Sequence, residues 1–142
     1  MNKIKLLHAL SSLSVASIAD ADKTIRVMSS TIRPVNNGKK ILGTARTVSC
    51  HNDFLTVIDA LNQSKAGDVL VVDSQDSTRA LVGELFSTEA QRRGLSGIIV
   101  DGPVRDVEML RKLEIPVFAK SYCPCSGTTQ KMMETQTEIQ CG

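Results

Sequence analysis

Aromatic residues are scarce in this 142-residue chain: no Trp, one Tyr and three Phe. Platforms that stack single-stranded bases are built from aromatic faces, and a net charge of +2 supplies no basic surface for a duplex, so nucleic acid is not an expected partner. Long apolar runs are missing too. None approaches the ~18 residues of a membrane-spanning helix, so no membrane partner is expected. The N-terminus has the basic start of a secretion signal and small residues at Ala19 to Ala21, but His8, Ser11, Ser12, Ser14 and Ser17 interrupt its apolar core. The expected location is cytoplasmic. Four cysteines are too few for a disulfide framework of this length. Cys123 and Cys125 are one residue apart, whereas structural zinc knuckles separate their thiolates by about two to four residues. Cys141 with His51 or Cys50 would be needed to complete a tetrahedron, and a loop with incidental cysteines is the favoured reading. Internal repeats, low-complexity tracts and Pro- or Ser-rich linkers are also lacking, which leaves no internal domain boundary.

What is present describes one aliphatic-cored domain, with 42% apolar and 23% charged residues. Leu6, Leu7, Leu10 and Leu13 recur at helical spacing over residues 4–18, with Ser14 offering the cap of a separate second helix. Thr31 to Val35 reads as a strand and Asn37-Gly38 as a hairpin turn leading into a strand over Lys40 to Cys50. Asn52 or Asp53 is a candidate N-cap for a helix through Gln63, and Asp68 to Asp73 is a short apolar run typical of a strand buried on both faces. A helix ending at Arg93, a strand Gly97 to Asp101, a short helix Asp106 to Leu113 and a strand Ile115 to Ala119 complete the alternation. Such alternation implies an α/β fold, a parallel sheet with right-handed crossovers. From Lys120 onward the pattern weakens to an extended arm or a disordered tail.

The stretch from Gly83 to Asp106 carries the functional expectation. A helix over Glu84 to Arg93 spans about 15 Å at ~1.5 Å per residue, and five extended residues climb back about 16 Å. The turn expected at Asp101-Gly102-Pro103 then returns Arg105 and Asp106 to the level of Gly83. Pattern alone leaves open whether the helix starts at Glu84 or runs from Thr78 with Gly83 inside it. In the first case, free amides at the helix start make an anion cradle that a residue without Cβ lets a ligand approach. A guanidinium binds a carboxylate through two hydrogen bonds, and a lone carboxylate suits Mg²⁺ or Mn²⁺ when substrate and water supply the other oxygens. A 2-oxo acid chelated by a divalent cation fits that combination.

The segments GDVLVVDS, GELFSTEAQRRG and GIIVDGPVRDVEMLRKLEIPVFAK, with SIADA and ILGTARTV upstream, resemble the family that groups the regulator of ribonuclease activity A with the class II 4-hydroxy-4-methyl-2-oxoglutarate aldolases. The resemblance covers most of the chain and implies a single swivelling β/β/α domain, phosphohistidine-domain-like, assembled as a homotrimer or hexamer with sites between subunits. It places the domain at residues 1–120 and a C-terminal arm, short relative to the family, at residues 121–142. It favours a helix start at Glu84. It further implies that Gly83, Glu84, Leu85 and Phe86 bind the pyruvyl group, that Arg105 binds substrate and that Asp106 holds a divalent metal, Mg or Mn. The implied activity is a lyase reaction releasing pyruvate, with oxaloacetate decarboxylase activity beside it, and neither a Schiff-base lysine nor an organic cofactor. Relatives that inhibit ribonuclease E use the same scaffold without the metal-binding aspartate, which makes a non-catalytic regulator the alternative. A quinone-pathway methyltransferase is not expected, because no Gly-rich nucleotide loop follows a strand. The chain departs from the aldolase pattern at Met109, where an acidic residue is expected, with Glu108 the nearest acid. It also departs in the SQDST loop, which lacks the family's glycines.

Overall fold

The computed structural model describes residues 2–142. Its elements are α1 (Lys3–Ser11), α2 (Val15–Ala21), β1 (Arg33–Pro34), β2 (Thr44–Ser49), α3 (Leu55–Gln63), β3 (Asp68–Asp73), α4 (Glu84–Arg92), β4 (Gly97–Val104), α5 (Val107–Leu110) and β5 (Val117–Tyr122). The strands form one sheet in the order β1-β5-β4-β3-β2. From β2 to β5 they run parallel, and β1 closes one edge antiparallel to β5. Each crossover steps to the next strand in the same direction, so right-handed connections lay α3, α4 and α5 on one face. The result is the mixed α/β, single-domain arrangement of parallel βαβ units expected from the sequence.

Period-two alternation along the strands fills the space under the helices. Leu70, Val72, Ile98, Val100 and Val117 are fully buried there with Val57 and Ala60 of α3, Ala90 of α4 and Leu110 of α5. Each buried Val, Leu or Ile contributes about 1.5–3 kcal/mol of transfer free energy. The helix-covered face is therefore the main source of cohesion. No single helix among the described residues is long and apolar enough to cross a membrane.

Several local expectations give way to tertiary partners. Of the two readings left open at the N-terminus, the structure takes the second: α1 and α2 are separate helices, and the Ser14 side chain accepts the Ser17 amide to start α2. Asn37-Gly38 makes a turn, with Gly38 at φ 63°, but no hairpin. β1 pairs with β5 instead, because the Asn36 amide side chain accepts the Val117 N–H and donates to the Ile115 carbonyl, fastening this segment to the α5–β5 loop. β2 starts at Thr44, not Lys40, and α3 at Leu55 with Phe54, not Asn52 or Asp53, in the N-cap position; Asp53 Oδ1 accepts the Leu55 amide from just ahead of it. Asp101-Gly102-Pro103 does not end its strand. β4 continues to Val104 through a register shift between Val100 and Pro103, a place where Pro's missing N–H leaves no gap in the ladder. Gly102 is required there because a Cβ would collide with Ser74 Oγ. The helix expected over Asp106 to Leu113 shortens to four residues, and β5 starts two residues later than expected and runs to Tyr122.

Beyond Tyr122 the chain is an arm laid against the body. The Ala80 amide donates to the Cys125 carbonyl and the Gly127 amide to the Ala80 carbonyl, at 2.8 and 3.0 Å. Thr128 and Asn52–Phe54 exchange two further backbone hydrogen bonds, from Thr128 N to Asn52 O and from Phe54 N to Thr128 O. Farther along, the Gln136 amide reaches the Thr47 carbonyl on the edge of β2, and the Gly142 amide reaches Asp101 Oδ2.

Candidate active site at the start of α4

Residues 80–83 lie beside the end of β4. Val82 bridges Val104, and the Arg105 amide donates to the Val82 carbonyl at 3.1 Å. The long-helix alternative is thereby excluded: α4 begins at Glu84 with Gly83 as its N-cap. Gly83 is needed for space rather than for its dihedrals. A Cβ there would lie 2.6 Å from Asp106 Oδ2 and 2.9 Å from Arg105 Cγ. Only a residue without a side chain lets the Arg105-Asp106 turn close on the helix start.

Asp106 adopts the left-handed conformation, φ 57° and ψ 40°, and its carbonyl accepts the Met109 and Leu110 amides that open α5. This backbone turns its carboxylate toward α4. Oδ2 accepts the Glu84 amide at 3.1 Å and lies 3.4 Å from Arg105 Nε. Oδ1 has no hydrogen-bond partner among the described residues. The amides of Leu85 and Phe86 lie in the first turn, where no intrahelical acceptor exists. The Arg105 and Asp106 side chains are each a little over one-third exposed.

These groups border a cavity of about 100 Å³, far below the ~300 Å³ minimum of drug-sized pockets and suited to a small fragment. Gly83, Leu85, Phe86, Arg105 and Asp106 all line it. Glu84 contributes its amide to Asp106, and its side chain is not part of the lining. Met109 and Glu108 are outside the lining as well. Phe54, Ala80, Leu81, Val82 and Ser126 complete the wall, and none of them was a candidate from the sequence. Phe54 packs edge-to-face on Phe86, ring centroids 5.3 Å apart. Its place directly after the two candidate caps, Asn52 and Asp53, was the available signal. For Ser126 there was none, since its approach depends on the non-local bridge to Ala80.

Among the described residues, no three His, Cys, Asp or Glu side chains converge as a cation cage. The thiols considered for zinc, with His51, are not gathered, and all four cysteines are free. Asp106 Oδ1, a single available carboxylate oxygen at the cavity, is a donor set that fits a hard cation retaining water and taking further oxygens from a substrate. It would not hold a cation that needs a dedicated cage.

Comparison with known proteins places the chain in a family by its sequence and its fold. A family model described as "RraA-like: Aldolase/RraA" matches residues 15–142. A protein of Halalkalibacterium halodurans named "Putative 4-hydroxy-4-methyl-2-oxoglutarate aldolase" is 33% identical over 142 residues, covering 99% of this chain and 68% of that protein. The chain spans about two thirds of the length of the curated relatives it matches. The solved structure of the RNA-processing inhibitor RraA from Thermus thermophilis superposes with a TM-score of 0.82 at 26% identity, covering 89% of this chain and 77% of that one. A Geobacillus kaustophilus structure described as an S-adenosylmethionine:2-dimethylmenaquinone methyltransferase gives a TM-score of 0.84 at 27% identity, covering 90% of this chain and 81% of that one. With the family model spanning all but the first fourteen residues, the chain belongs to the RraA-like, Aldolase/RraA family.

Proposed function

We propose that the chain is a divalent-metal-dependent lyase of the class II aldolase type, cleaving 4-hydroxy-2-oxo dicarboxylic acids to pyruvate, with oxaloacetate decarboxylation as a related activity. The observation that carries this reading is the closure permitted by Gly83: free amides, a guanidinium and a carboxylate converge on one small cavity. Arg105 pairs with the substrate carboxylate next to the 2-oxo group through two parallel hydrogen bonds. The Leu85 and Phe86 amides stabilise the negative charge that develops on the 2-oxygen as the C3–C4 bond breaks and its electron pair moves toward C2. The proton of the 4-hydroxyl leaves to a base, C4 becomes a carbonyl, and protonation at C3 yields pyruvate. Asp106 is the residue that would hold Mg²⁺ or Mn²⁺, and the bound cation supplies Lewis-acid polarisation of the 2-oxo group. Phe54 and Phe86 keep that end of the cavity apolar and limit water.

In this reading the protein works in the cytoplasm, consistent with its four free cysteines. It assembles as a homotrimer or hexamer, and Leu85, 75% exposed at the cavity rim, is the apolar group a neighbouring subunit would cover. The test is pyruvate release from 4-hydroxy-4-methyl-2-oxoglutarate and from oxaloacetate after EDTA treatment, then with Mg²⁺ or Mn²⁺ restored. Metal-stimulated release is expected. Its absence for every 4-hydroxy-2-oxo dicarboxylate would sink the enzyme reading. The likeness to the Thermus inhibitor supports the second reading, a non-catalytic regulator that binds and inhibits ribonuclease E. That protein would slow ribonuclease E cleavage without any turnover of its own.

A further inference from the structure

Asp53 lies outside the cavity, is only 5% exposed, and has both carboxylate oxygens engaged. Oδ1 accepts the Leu55 amide at 2.9 Å and so fixes the entry to α3. Oδ2 accepts the Thr128 hydroxyl at 2.6 Å and the Gln130 and Lys131 amides at 2.6 and 3.2 Å. One buried charge therefore joins two segments that are distant in sequence, and each carries a wall of the cavity. Phe54 follows Asp53 directly and packs on Phe86. Ser126 stands two residues before Thr128, in the stretch where Cys125 and Gly127 pair with Ala80. Burial alone would raise the Asp53 pKa, but its hydrogen bonds outweigh this and hold the carboxyl below its ordinary range.

We infer that Asp53 is a positioning residue of the candidate site: by clamping the arm at Thr128 to Lys131 beside the start of α3, it sets the distance between the Phe54 and Ser126 walls and hence the fit of the 2-oxo acid. The part concerning the 2-oxo acid rests on the proposed function; the part concerning the walls does not. A carboxylate suits the task because all three arm donors converge on one oxygen. An asparagine would offer only one acceptor oxygen and would turn an N–H₂ toward either the arm donors or the Leu55 amide.

The experiment compares wild type with Asp53→Asn and with Thr128→Val, which removes one donor and leaves the buried carboxylate paired to the two arm amides. In both variants, amide exchange at Gly127, Thr128, Gln130 and Lys131 should accelerate, by on the order of tenfold or more for Asp53→Asn. The nuclear Overhauser contact between the Phe54 and Phe86 rings should weaken. For metal-dependent turnover of the 2-oxo acid, KM should rise roughly tenfold in Asp53→Asn while kcat stays within about twofold, the pattern of lost binding rather than lost chemistry. Unchanged arm exchange, or faster exchange with the ring contact and KM intact, overturns the inference. If wild type shows no turnover, the proposed function fails, and the exchange and ring-contact measurements still decide whether Asp53 sets the walls. Should Asp53→Asn not fold, Thr128→Val decides by the same measurements.

Discussion

Replacing Gly83 with Ala adds one methyl group and leaves every ionisable residue in place. That methyl would sit 2.6 Å from Asp106 Oδ2, 2.9 Å from Arg105 Cγ and 3.4 Å from Arg105 Nε. Relief requires the Arg105-Asp106 turn to retreat by about 1 Å, since carbon atoms in contact settle near 3.5–4.0 Å. The Glu84 N–H to Oδ2 bond, now 3.1 Å, is lost. A hydrogen bond to a charged group is worth about 1.5–3 kcal/mol, and for a carboxylate more than one-third exposed about 1 kcal/mol is the appropriate figure. Against this, Gly→Ala at a φ of −153°, open to any residue, gains about 0.4–1 kcal/mol from the unfolded chain. The two nearly cancel, so Tm should move by no more than about 4 °C. Activity should not be spared, because a reacting group displaced by about 1 Å costs roughly 10²-fold. Thermal melts beside metal-stimulated pyruvate release test this. Full activity in Gly83→Ala, or a melt lowered by more than about 10 °C, would refute the claim that Gly83 serves closure of the site rather than stability of the helix.

Three further outcomes follow from the geometry. Asp106→Asn retains a side chain that tolerates the left-handed backbone and an oxygen for the Glu84 amide, so it should melt within about 4 °C of wild type yet lose metal stimulation. Asp106→Ala would confound that test with about 1–2 kcal/mol of backbone strain, and isothermal titration with Mn²⁺ supplies a check independent of activity. Folding lowers the Asp53 pKa, so its stabilisation is fully present above the unfolded value of about 3.9 and is lost as pH falls through the folded value. Urea midpoints of wild type and Asp53→Asn should therefore converge below about pH 4; a gap that stays constant down to pH 2 would show that the charge is not what holds the arm. Burial first, then Asp53 and Asp73, pushes the Cys50 thiol up to about 12, and burial with Asp101 and Asp73 pushes Cys141 to about 11. A thiol reagent at pH 8 should label exposed Cys125 in the native protein and reach Cys50 only on unfolding, because the thiolate is the reactive form. Labelling of Cys50 as fast as Cys125 would contradict its burial.

The sequence by itself determined the elements whose signals are local and mutually consistent. Asp68 to Asp73 is a short apolar run between Gly67 and the polar loop after Asp73, the signature of a strand buried on both faces. Gly94 after Arg93 marks the end of α4, whereas its start at Glu84 was left open by the pattern and is set by the pairing of residues 80–83 with the end of β4. That pairing brings Arg105 and Asp106 beside Gly83 although β4 runs three residues past its expected end at Asp101. The family resemblance rested on the same residues. Tertiary structure decided what depends on a choice between partners. Asn37-Gly38 is as good a hairpin signal as sequence offers, yet Asn36 finds the α5–β5 loop, and β1 joins β5. Asp101-Gly102-Pro103 has the composition of a turn, but pairing on both sides carries β4 through it. Residues 123–142 have no period of their own, and their arm exists because Asp53, Ala80 and Thr47 supply hydrogen bonds from more than forty positions away. Asp106 was legible as a carboxylate at the right level. Its commitment of one oxygen to the Glu84 amide was not, because that depends on a left-handed backbone and on the missing Cβ across from it. Local periodicity records which residues can be buried, whereas the site depends on which distant backbone groups meet, and only the assembled sheet sets that.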